Sequence, residues 1–169
     1  MMWFDKFEFF DKQPGLTEPI PEDLFTKPYS ETELETLNKI RNLYPEGMAP
    51  DIIEIPKEIK IPEEYVELLR YCNGGGILNG DREFGYFSMT DIREMYIAYG
   101  FPFWAPEFLP IALNGGGKFY VYDFRKEQTP SILVVSSGNI GYDDDCWGFL
   151  GNTLEEVLNN TNNIEDVLD

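Results

Sequence analysis

A chain of 169 residues, 43% of them hydrophobic and 15% aromatic, is long and apolar enough for one domain around one core. Thirteen basic residues against thirty-one acidic ones leave a net charge of −18. Such a surface repels nucleic acid, anionic membranes and phosphorylated substrates at long range. There is no histidine, which excludes Ser-His and Cys-His nucleophiles, a histidine general base and histidine-containing zinc sites.

Two readings of the acidity fit: attraction to a basic protein partner, or solubility alone. Cys72 and Cys146 stand apart without C-x-x-C spacing, as expected of buried, reduced thiols in a cytoplasmic protein. The opening "MMWFDKFEFF" is interrupted by Asp5, Lys6 and Glu8, so it lacks the continuous apolar centre of a signal peptide, and no run is long enough to span a bilayer.

Residues 1–29 carry Pro14, Pro19, Pro21 and Pro28 among aromatics and acids, a composition that predicts an arm laid over the domain rather than a long helix. Its Trp3, Phe7 and Phe10 either pin it to the body or serve a partner. "SETELETLNKIRNLY" predicts a helix, with Ser30 and Glu33 as a capping box and Leu34, Leu37, Ile40 and Tyr44 on one face. Pro62 followed by Glu63 and Glu64 opens a second helix, with Tyr65, Leu68, Leu69 and Cys72 buried.

"NGGG" occurs twice, at Asn73–Gly76 and Asn114–Gly117. A phosphate-binding loop needs its glycines ahead of a helix, where free amides and the positive dipole end face the anion. The first copy follows a helix and predicts a C-terminal cap at Asn73 and Gly74; the second lies between strands and predicts a turn. Strands are expected at Gly76 to Leu78 and Glu83 to Phe87, joined at Asn79-Gly80. A third helix follows, capped by Thr90, bearing Ile92, Met95, Tyr96 and Tyr99 and stopped by Gly100. "FPFWAPEFLP" reads as an aromatic crossing over the core. "LPIAL", "KFYVYDF", "SILVVSS" and "DCWGFL" read as strands. Thr153 with Glu156 caps a closing helix, and the tail regains helical form at Ile164 to Leu168. No basic residue occurs beyond Lys126.

This order of elements resembles the SUKH superfamily, which includes fungal regulators of cell-wall synthesis and many bacterial immunity proteins. The matching pieces are Ile61-Pro62 opening a helix that ends in Asn73-Gly74-Gly75, the turn at Gly115–Gly117 feeding a strand that ends in Asp123, and the capped helix from Thr153 to Leu158. The resemblance spans residues 30 to 158 and leaves the 1–29 arm outside it. It implies a non-enzymatic α+β domain over residues 30–169, short C-terminal tail included, with a mostly antiparallel central sheet and flanking helices. It further implies binding and blocking of a toxin, often a nuclease, without catalytic residue, cofactor or metal.

A basic face that a nuclease uses to hold nucleic acid would meet a −18 surface with fast, salt-sensitive steering. The expected contacts are Asp143, Asp144 and Asp145, with Asp81 and Glu83 on the hairpin and Tyr142 and Trp147 as aromatic anchors. The alternative is a solvated loop with Trp147 in the core. The three aspartates lack the alternating acid pattern of a calcium loop. Two other functions remain open: a regulatory scaffold like the fungal proteins, disfavoured by the lack of long disordered flanks, and a glycoside hydrolase pairing Asp123 with one of Asp143 to Asp145. The chain is expected to be a monomer, or a homodimer paired through an edge strand.

Overall fold

The computed structural model describes residues 1–48, 50–126 and 129–168. Its centre is a seven-stranded antiparallel sheet with spatial order identical to chain order. The strands are β1 (Glu8–Phe10), β2 (Gly75–Asn79), β3 (Arg82–Tyr86), β4 (Phe108–Leu113), β5 (Lys118–Asp123), β6 (Ser131–Ser136) and β7 (Trp147–Gly151). The helices are α1 (Glu31–Arg41), α2 (Glu63–Tyr71), α3 (Met89–Ala98), α4 (Phe101–Trp104) and α5 (Leu154–Asn159), followed by a 3-10 turn at Ile164–Val167. This is the α+β architecture with a central antiparallel sheet and flanking helices that the resemblance implies.

Alternation along β5 divides the core between the two faces of the sheet. Phe119 meets Phe87, Tyr99 and Phe101, so α3 and α4 cover one face. Tyr120 packs edge-on to Phe84, and the Tyr122 hydroxyl donates to Glu64 of α2, so α2 covers the other. α5 joins α2 there, because the Leu154 amide at its start donates to the same Glu64 carboxylate at 3.1 Å. Burial raises the Glu64 carboxyl above the usual range, and the hydrogen bonds from Tyr122 and Leu154 oppose that shift.

The predicted caps are largely where the sequence puts them. Ser30 and Glu33 form a complete capping box, and Thr153 accepts from the Glu156 amide. Three local details differ. Ser88, two residues before Thr90, caps α3 by accepting from the Asp91 amide. Asn79 at the end of β2 pairs with Arg82 at the start of β3, so the hairpin turn is Gly80-Asp81. The chain leaves α2 through extended Cys72, and Gly74 (φ 106°) supplies the left-handed residue. Asn73 instead turns its side chain to the next helix, where Oδ1 accepts from the Met89 amide at 3.0 Å.

The arm does more than cover the domain, since its β1 pairs antiparallel with β2, Phe10 opposite Gly76. The Phe10 ring lies on Gly76, where any Cβ would collide with it. Phe4 and Phe25 are in the core. Between them the arm follows the C-terminal end of α2, the Leu16 amide donating to Leu69 O at 2.8 Å. Gly76→Val should therefore expel Phe10 and cost about 1–3 kcal/mol. The check is limited trypsin digestion, with cleavage after the exposed Lys12 much faster than in the unsubstituted chain while the core resists.

Candidate partner-binding surface

The loop between β6 and β7 carries Asp143, Asp144 and Asp145, all exposed. It is held by an arrangement no local pattern announces. Arg125, just beyond β5, donates from Nε and Nη2 to the two oxygens of Asp123, both at 3.0 Å. Its guanidinium lies over three rings, 5.0 Å from the centroid of Phe108, 5.2 Å from Tyr142 and 5.0 Å from Trp147. The Tyr142 hydroxyl accepts from the Glu107 amide at 2.7 Å, and Trp147 Nε1 donates to Tyr142 O at 3.0 Å. Burial pushes the Tyr142 phenol up to about 12, so it stays protonated around neutrality. Tyr142 and Trp147 are thus half-buried and clamp the loop.

Asp81 is exposed on the β2–β3 turn, its amide donating to Thr161 O at 2.9 Å. Glu83 is half-buried on β3, with its carboxylate against Gly115. Three strands separate β3 from β7, about 19 Å at ~4.8 Å per strand. The structure therefore presents the hairpin acids and the loop acids as two patches.

Neither "NGGG" serves an anion. Asn114 Oδ1 accepts the amides of Gly116 and Lys118, which closes the turn, while its Nδ2 donates to Asn163 and Glu165 of the C-terminal segment. Asn73 is spent on α3. In the second copy the asparagine side chain occupies the turn's own backbone amides, and in the first it occupies the Met89 amide at the start of α3.

Both oxygens of Asp123 accept from Arg125, so this carboxylate has a structural role in fixing the loop. Asp143, Asp145 and Cys146 place one ligand atom each within 4.8 Å of one another. Two of these groups are exposed, and the Cys146 thiol is pushed up by burial and then by the neighbouring Asp145, which opposes the thiolate that a metal requires. Three donors of this kind do not fit a structural zinc site.

Sequence reasoning missed Arg125 and Phe149. A faint signal exists for the first: an arginine two residues after a strand-ending aspartate is near enough to fold back on it. Phe149, at the centre of β7, is 52% exposed and borders a groove of about 630 Å³ that also takes in Asp123, Arg125, Leu133 and Trp147. Among the described residues, no helix is long and apolar enough to cross a membrane.

No curated protein matches the chain. Residues 49–160, which run from the connection before α2 through α5 and contain every strand but β1, match the SMI1 / KNR4 family (SUKH-1). That segment holds the capped helix, both glycine turns and the Arg125 clamp, and it covers well over half of the sequence: the chain belongs to the SMI1 / KNR4 family (SUKH-1), whose members have immunity or regulatory roles.

Proposed function

We propose that this chain is a cytoplasmic immunity protein that binds and neutralises a cognate basic toxin, a nuclease, by covering its nucleic-acid-binding face. The observation that carries the reading is an exposed acidic loop, Asp143 to Asp145, held in place by Arg125 on a chain of net charge −18. Family membership supports a protein partner. The mechanism is occlusion: opposite charge steers the encounter, and close packing then excludes the toxin's substrate. It uses no catalytic residue, cofactor or metal, and nucleic acid is met only through the toxin. The 1–29 arm, by this reading, supports the 30–169 domain through β1 rather than forming the interface.

Immobilised protein should capture from a lysate of the source organism one basic protein in stoichiometric amount, released as salt is raised. That protein should be toxic when expressed alone and harmless when coexpressed with this chain. Binding that is unchanged between low and high salt would remove the electrostatic part of the mechanism. Stable capture of a non-toxic signalling protein would turn the reading to a regulatory scaffold, the other role in the family.

A further inference from the structure

We propose that the outer edge of β7 takes up an extended, lysine- or arginine-bearing segment of a partner protein as an eighth strand of the sheet. The inference rests on the immunity reading for the identity of the partner, but the site stands on its own geometry.

β7 ends the sheet, pairing with β6 on one side only. Among the described residues, no backbone or side-chain hydrogen bond from outside the β6–β7 pair satisfies the main chain of Trp147 to Gly151. An edge left in this way is a template for another strand unless it carries lysine, proline or a covering segment. β7 carries neither residue, and the 3-10 turn Ile164–Val167 lies on one face of the strand, against the side of Gly148 where a Cβ would point, without a hydrogen bond to its main chain. The other edge, β1, has only three residues and offers a shorter ladder. Beside β7, exposed Phe149 and half-buried Trp147 flank the 630 Å³ groove, a place for one apolar side chain of an added strand.

Charge selects the occupant. Exposed Asp143, Asp144 and Asp145 precede β7 directly, and Glu155 and Glu156 follow it. A second copy pairing antiparallel through the same edge would set the aspartates of one chain beside the glutamates of the other, at −18 per chain. A segment with basic residues beside the aspartates and an apolar residue over Phe149 meets opposite charge instead.

The test uses the full chain and two synthetic peptides of alternating valine and threonine, one ending in lysines and the other in glutamates, with amide exchange followed by NMR. The lysine peptide should slow exchange of the Gly148–Leu150 amides by about tenfold. The glutamate peptide should not. Phe149→Lys, a change at an exposed edge position, should abolish the effect without unfolding the sheet, and so should lysines at 143 to 145. Equal protection by both peptides, protection at β1 alone, or no protection at β7 would each overturn the proposal. So would a dimer in sedimentation that Phe149→Lys dissolves, since the occupant would then be a second copy. If a basic protein binds the unsubstituted and Phe149→Lys chains equally, the edge proposal falls and the immunity reading stands. If the lysine peptide protects β7 but no basic protein is captured, the reverse holds.

Discussion

Arg93→Ala should be among the most damaging single substitutions in this chain, costing about 3 kcal/mol and lowering the melting temperature by roughly 10 °C. Arg93 is buried on α3 and donates to five acceptors: the carbonyls of Phe25, Lys27 and Pro28 and both oxygens of Glu33 on α1. Its removal leaves the buried Phe25 carbonyl and the partly buried Glu33 carboxylate without their partner, and it disconnects the end of the arm and α1 from α3 together. Arg93→Lys should rescue little, because a single ammonium cannot reproduce the planar fork that spans these acceptors. Thermal unfolding and amide exchange in α1 are the checks; unchanged exchange in α1 would show that other contacts hold that helix.

The same pair predicts an acid limb. Hydrogen bonds from Arg93 hold the Glu33 carboxyl down at about 2, below its ordinary 4.5. A carboxyl lowered in the folded state contributes stability that is complete above its unfolded pKa and is lost as pH falls toward the folded one. Stability should therefore drop between about pH 4.5 and about pH 2, and Glu33→Gln should flatten that part of the urea-midpoint profile.

Replacing Asp143, Asp144 and Asp145 together by lysine should slow association with the basic partner by about ten- to a hundredfold at low salt and change dissociation far less. Each replacement changes the charge by two, so three move it from −18 to −18 + 6 = −12. The three side chains are exposed, and the loop's fixed points are Tyr142, Trp147 and Arg125, so the fold should survive. Stopped-flow association across a salt series is the measurement. The gap between variant and unsubstituted chain should close as salt rises, and an unaltered association rate would clear the loop of any steering role.

The parts of this protein legible in its sequence are those whose physics is local. The Ser30–Glu33 box, the Thr153 cap, the proline start of α2 and the glycine turns each join residues a few positions apart, so spacing alone announces them. At α3 the local rule failed because two hydroxyl residues, each able to accept a free amide, competed within a few positions, Ser88 with Thr90. The acidic loop was visible as composition. Its clamp was not, because Arg125 meets Tyr142 and Trp147 only after β5, β6 and β7 lie side by side.

By itself, then, the sequence determined the order of the main elements from α1 onward, the sign of the surface and the absence of histidine chemistry, since these follow from residue type and short-range spacing, while the antiparallel α+β class came from the resemblance to a known family. Only the tertiary structure decided that the arm supplies an edge strand, that Arg93 gathers acceptors from the arm and α1, that the acids form two patches, and that among the described residues no further strand pairs with β7. Each of these depends on which distant segments become neighbours. That is settled by burying the apolar side chains of the whole chain at once, an energy summed over the core and written in no single stretch of it.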